Sequence, residues 1–361
     1  MKRTNKNGAI ELLRFFFASG VVFIHSVSDL FNGSWNVGHI GTVTVSLFKN
    51  GNIGVEFFFV ISGFFMAKSI YRELEITNNK PIGHQTVMFL KKKINPIFPY
   101  YLLACIMTGG VYVYEGDIVL DVLGRLPSVL FLQNTGGFEK SFVTIAWYIS
   151  AMLIAMAILY PICKCFYYSF TSLYAPLFGI LIIGTIVHNT GTLGNATEWA
   201  VITYKSNFRA VSEVALGTTC FEISRRIETK AFSVLYRIIL SSVAFICFAL
   251  TFLYINCDLT RRFDPYILLL ICVGITITLS NAGLIGQKGI MQNFCFYYLG
   301  KISLPLYLFH NVIRYLAPTV LSNLSPDLQC IVIYFGSVGL SVMVDSFVTF
   351  CLRRRNRQTV L

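Results

Sequence analysis

Charge is what this sequence has least of. Charged residues make up 13% of its 361 positions and hydrophobic residues 55%, with a mean hydropathy of +0.66. That balance excludes an ordinary soluble globular domain. Acidic residues are the scarcer sign, 17 against 29 lysines and arginines, which leaves a net charge of +12. The excess calls for no nucleic-acid partner, because loops sorted by the positive-inside rule produce the same imbalance. A cleavable leader is missing too: the basic start, Met1 to Asn7, runs into an apolar segment with no small-residue cleavage pattern. No metal site is expected. Most of the ten cysteines (Cys105, Cys220, Cys247, Cys272, Cys295, Cys330 and Cys351 among them) lie in apolar stretches, where the thiol acts as a small hydrophobe. Cys163 and Cys165 flank Lys164, and no second pair completes a zinc site.

What the chain does have is apolar segments of bilayer-spanning length, at about 9–27, 53–70, 95–114, 143–162, 173–189, 207–223, 233–255, 265–283, 294–316 and 329–351. The expected fold is therefore an all-α polytopic membrane protein of about ten transmembrane helices. It forms a single domain over residues 1–361 with no appended soluble domain, embedded in the lipid bilayer of the cell membrane. Ten is even, so both termini share a side. Of the basic residues in the connecting segments, eighteen fall on the side of the termini and six on the other. That asymmetry puts both termini in the cytoplasm.

Five segments carry residues that a membrane helix does not need. In the first, Arg14 and His25 are close to three turns apart at about 100° per residue, so they share one face roughly 16 Å apart along the axis. Such a stripe is costly unless it faces protein or water. The second segment, Gly54-Val-Glu56-Phe-Phe-Phe-Val-Ile-Ser62-Gly63-Phe64, brings Glu56 near the depth of His25. Two readings of Glu56 stand, a solvated interfacial carboxylate or a functional intramembrane one. Ser62 and Gly63 leave room for a neighbouring helix or a substrate. A cytoplasmic loop over 71–93 is expected to end in Lys91-Lys92-Lys93, which fits either topology and anionic lipid or a phosphate-bearing donor.

The fourth segment opens on Trp147 and Tyr148, where an aromatic belt is also expected. In the sixth, Arg209 and Glu213 stand i, i+4 and should pair. The ninth holds Ser303, Pro305, Tyr307 and His310. It runs outward, so His310 comes near the depth of His25, and a proline is tolerated there if the helix lines a cavity. The shared depth of His25, Glu56, Trp147 and His310 points to one site.

These residues resemble the acyltransferase-3 family of integral membrane O-acyltransferases, over nearly the whole chain. The resemblance is carried by Arg14, ten residues and His25; by Glu56 with its phenylalanines and Ser62-Gly63-Phe64; by Leu299-Gly300-Lys301-Ile302-Ser303 through Tyr307-Leu308-Phe309-His310; and by Ala146-Trp147-Tyr148 through Pro161. The chain departs from the family twice. Ala151, Met152 and Leu153 stand where many members have a glutamate. Lys92-Lys93-Ile-Asn-Pro96-Ile-Phe-Pro99 stands where many have Arg-Arg-x-x-Arg-x-x-Pro.

The resemblance implies transfer of acetyl, or another acyl group, from cytoplasmic acyl-CoA to a hydroxyl of a cell-surface or lipid-linked glycan. Acetyl-CoA is then a co-substrate, with no bound cofactor. His25 is the expected general base, with Glu56 orienting its ring. His310 is a second base or a donor to the oxyanion. Arg14, Lys91, Lys92 and Lys93 are expected to hold the donor, and Trp147, Tyr148, Ser62, Ser303 and Tyr307 to line the acceptor pocket. A proton-coupled transporter or flippase for a glycolipid or small anion is the alternative, although no repeat relates the two halves of the chain. A catalytically inactive sensor or scaffold is a third. Consumption of thioester separates the first reading from the others.

Overall fold

A computed structural model describes residues 7–74, 80–116, 119–138, 140–284 and 294–358. Lys2, Arg3, Lys6 and Lys288, counted above for topology, lie outside them. Hydrocarbon offers no partner to a bare peptide group, and a helix satisfies its own. The chain accordingly folds as an all-α polytopic membrane protein. Ten long helices occupy the ten expected segments: α1 (Gly8–Leu30), α2 (Gly54–Glu73), α3 (Ile82–Tyr114), α4 (Trp147–Cys165), α5 (Ala175–Thr190), α6 (Lys205–Glu228), α7 (Val234–Ile255), α8 (Asp264–Leu279), α9 (Phe294–Val320) and α10 (Pro326–Gln358).

The helices alternate in direction. At one end the connections meet through Lys164 and Glu73 (2.7 Å), Asn281 and Glu228 (2.9 Å), and Asn7 with the carbonyl of Thr278 (2.9 Å). This is the basic end. The opposite, hairpin end carries two small antiparallel ribbons, β1 (Trp35–Ile40) with β2 (Val43–Leu47), and β3 (Trp199–Ala200) with β4 (Thr203–Tyr204). There Val45 bridges to Cys257, and Asn134 donates to Ser206 at 3.0 Å.

Among the described residues, eight helical segments are long and apolar enough to cross a membrane. The exceptions among the ten are α6 and α9, and packing explains both. α6 is enclosed by α2, α4, α5 and α8, with Arg209, Glu213 and Glu222 all buried. α9 lies against α1, α3 and α10. A helix wrapped in other helices needs no lipid-facing apolar surface, so it can carry charge.

The basic triplet Lys91 to Lys93 does not end a loop. α3 begins at Ile82 and runs unbroken through the triplet, Pro96 and Pro99 to Tyr114. Prolines that would stop a soluble helix are tolerated in a membrane bundle, where neighbours take up the freed backbone groups. Adjacent residues of the triplet therefore point about 100° apart.

α2 and α6 cross backbone to backbone. A Cβ on Gly63 would run into the carbonyl of Val214, and one on Gly217 into the carbonyl of Val60. Gly63 is thus small in order to admit α6. Gly63→Ala and Gly217→Ala should each lower the melting temperature in detergent, by about 1–3 kcal/mol of overpacking. Gly110→Ala, which meets open space, should not. Equal melting temperatures for all three would contradict the crossing.

Candidate active site

α1 and α9 run side by side in the same direction, so residues at equal depth face each other. Glu11 packs where a Cβ on Gly300 would sit. Three to four turns further on, His25 Nδ1 is 3.3 Å from His310 Nε2, with the rings roughly parallel and their centroids 5.3 Å apart. One turn beyond each histidine, Arg314 clasps Asp29, donating from Nε and, at 2.8 Å, from a terminal nitrogen. Histidines expected to share only a depth are in contact.

The hydrogen bonds order the pair. His310 is fully buried and its Nδ1 lies 3.3 Å from the carbonyl of Leu306. A carbonyl only accepts, so Nδ1 of the neutral ring carries the proton and Nε2 is left as an acceptor. His25 then donates from Nδ1 to His310, and its own Nε2 keeps a lone pair. His25 is also the half-buried member. The arrangement leaves the free lone pair on the more exposed ring, His25, with His310 bonded to its other nitrogen.

On the basic side of the pair is a cavity of about 360 Å3. Five helices supply its walls: Arg14 from α1, Phe58 and Ser62 from α2, Lys92, Lys93 and Pro96 from α3, Tyr148 and Met152 from α4, and Ser303 and Tyr307 from α9. Arg14 is held by Glu11 at 3.3 Å and remains about a third exposed. Ser62 donates to the sulfur of Met152 at 3.2 Å. Tyr307 separates the cavity from the histidines. Its hydroxyl donates to the carbonyl of Ile145, and its ring centroid is 6.3 Å from that of His310. Lys92 also borders a smaller cavity of about 180 Å3 at the basic end, with Glu73, Lys80, His84, Gln85 and Tyr160.

Of the expected site residues, Arg14, Lys92, Lys93, Ser62, Tyr148, Ser303 and Tyr307 thus meet around one cavity, and His25 and His310 meet beside it. Three are elsewhere. Lys91 is exposed and lines neither cavity, because it points away from its neighbours on α3. Trp147 begins α4 outside the cavity, where its carbonyl accepts from Asn134 at 3.0 Å and its ring is 6.4 Å from that of Phe59.

Glu56 is the third, and its expected contact with His25 is not made. Oε1 of Glu56 takes a hydrogen bond from Arg209, and its Oε2 has no hydrogen-bond partner among the described residues. Arg209 also contacts Glu213 at 3.5 Å, as their i, i+4 spacing leads one to expect. All three side chains are buried. The close α2–α6 crossing brings Glu56 into contact with the Arg209 guanidinium, and an unpaired buried carboxylate would be far more costly. Asp264 extends this polar layer, accepting from Tyr254 at 2.6 Å and facing Arg261 at 3.2 Å.

Sequence reasoning missed Asp29, Arg314 and Asp264 as partners. For the first two a signal existed, since each stands one turn beyond a histidine on the same face.

The geometry defines an intramembrane site with a basic cavity beside a histidine pair, Tyr307 standing between them. A family model described as an acyltransferase domain matches residues 7–345, and the chain belongs to the acyltransferase-3 family. No curated protein and no solved structure matches it.

Removing Arg209 strands two buried carboxylates. Arg209→Leu should destabilise the protein by about 3–5 kcal/mol, read as a fall in melting temperature. Glu56→Gln, which leaves Glu213 for Arg209, should cost clearly less. An equal loss would remove Arg209 from the centre of the layer.

Proposed function

We propose that this membrane acyltransferase moves acetyl from cytoplasmic acetyl-CoA to a hydroxyl of a cell-surface or lipid-linked glycan, at the plasma membrane. The observation that carries the reading is the His25–His310 contact at 3.3 Å, beside a cavity walled by Arg14, Lys92 and Lys93. Cations at one end and a neutral base at the other suit a long donor that is anionic at one end and reactive at the other. The diphosphate end lies against Lys92, Lys93 and Arg14, with the nucleotide toward the smaller basic cavity. The pantetheine arm runs past Ser62, Tyr148 and Ser303, and the thioester reaches the level of Tyr307. The glycan hydroxyl approaches from the hairpin end, which the excess of basic residues at the opposite end assigns to the outside.

A sugar hydroxyl attacks a thioester only as its proton leaves. Nε2 of His25 takes that proton, the new C–O bond forms, and the tetrahedral centre collapses with loss of the thiolate. The imidazolium then returns the proton to sulfur. His310, fixed by the Leu306 carbonyl, holds the His25 ring in the productive tautomer. This is the role a carboxylate fills in hydrolase triads. Glu56, occupied by Arg209, serves the bundle rather than the ring.

Purified His25→Ala should keep the wild-type melting temperature and lose acetyl transfer by about 10²–10⁴-fold, the scale of general-base catalysis. Near-normal turnover would remove His25 from the chemistry. Lys92→Ala/Lys93→Ala should raise KM for acetyl-CoA more than it lowers kcat, and an unchanged KM would move the donor elsewhere. In proteoliposomes, substrate flux without thioester consumption would favour the transporter.

A further inference from the structure

One residue next to the histidine pair is used by nothing described so far. Asn311 is fully buried on α9, and neither its Nδ2 nor its Oδ1 has a hydrogen-bond partner among the described residues. No other described side chain has two such atoms. The Tyr315 hydroxyl interacts with the amide only weakly, outside good hydrogen-bond geometry, and is itself engaged by Thr144 at 3.2 Å. A buried amide satisfied so poorly is unusual and calls for an explanation.

Its position supplies one. Asn311 is four residues beyond Tyr307 and seven beyond Leu304, both of which line the main cavity, so it continues the same stripe of α9. Tyr307 is fastened to the carbonyl of Ile145 and Tyr315 to Thr144. Asn311 therefore lies between two clips that hold the turn before Trp147 against α9. That places it above the cavity, adjacent in sequence to His310, where acyl carbonyl and acceptor hydroxyl have to meet.

Acyl transfer needs a donor for the carbonyl oxygen as it becomes an oxyanion. The nearby candidates are otherwise engaged. His310 presents Nδ1–H to the Leu306 carbonyl and Nε2 to His25, and the Tyr307 hydroxyl donates to Ile145. Arg14, Lys92 and Lys93 are at the far end of the cavity. We infer that Asn311 is a catalytic residue whose Nδ2–H donates to the acyl carbonyl oxygen in the tetrahedral transition state. The acceptor proton passes to His25 Nε2 as the C–O bond forms, and the carbonyl electron pair moves onto the oxygen facing Asn311. When that pair returns, the C–S bond breaks and the thiolate takes the proton from His25. A neutral amide suits the place, since it supplies a donor without burying a further charge.

This inference rests on the acyl-transfer reading, and the experiment separates the two. Wild type, Asn311→Ala and Asn311→Asp are compared for acetyl transfer and for melting temperature in the same detergent. Asn311→Asp is nearly isosteric and, when ionised, lacks the donor. The expected result is a kcat lowered by about 10²–10³-fold in both variants, the scale for loss of one oxyanion donor. KM for acetyl-CoA should stay near wild type in both variants, and the melting temperature near wild type in Asn311→Ala. An active wild type with full-rate variants would overturn the role of Asn311 alone. So would a fall in melting temperature with kcat retained, which marks a structural amide, or a raised KM for the acceptor with kcat retained, which marks ground-state binding. A wild type that consumes no thioester would overturn the acyl-transfer reading and this inference with it.

Discussion

The parallel contact of α1 with α9 is the constraint on which the site depends. Two helices that run the same way through a membrane place their residues level by level, and in a low-dielectric interior each polar residue has to find its partner at its own level. Along this seam Glu11 packs on Gly300, His25 meets His310, and Asp29 is clasped by Arg314. The last pair fixes the seam one turn above the histidines, and Gly300 closes it near the basic end. Between these fixed points the imidazoles are left little freedom to turn. A histidine whose lone pair must point at a substrate needs such restraint, because geometry decides whether its basicity can be used.

A second polar layer follows the same logic with a different outcome. Glu56, Arg209 and Glu213 are buried where α2 and α6 approach through Gly63 and Gly217. Their charges are spent on one another. Such a layer specifies how the helices pair, since a shifted register would strand a carboxylate in hydrocarbon. α6 is thereby explained as the least apolar of the long helices. It is an interior strut, shielded on its sides by α2, α4, α5 and α8.

Much of this was legible before any coordinates. The ten apolar segments became ten helices, and alternating basic connections gave each a direction, so the common depth of His25 and His310 followed. Depth comes from position along a helix, whereas lateral neighbours come from packing, and that is where sequence reasoning stopped. Glu56 has the expected depth, but a helix other than α1 claims it. Arg209 and Glu213 were readable as partners because both are on α6, and the third member was not. Lys91 and Trp147 fell away from the cavity while Lys92 and Tyr148 stayed, a distinction of one residue that turns on helical phase. The loop expected to end in Lys91-Lys92-Lys93 is instead the first part of α3, which runs on through Pro96 and Pro99 because the surrounding bundle tolerates them.

The central claim is that the basic cavity and the histidine pair form one path for a single donor. An electron cryomicroscopy structure with a non-hydrolysable acetyl-CoA analogue tests it most directly. The account predicts phosphate density against Arg14 and Lys92, with the acyl carbonyl beside Nε2 of His25 at the level of Tyr307. Phosphates bound at the hairpin end, or an acyl group lying away from the histidine pair, would contradict it.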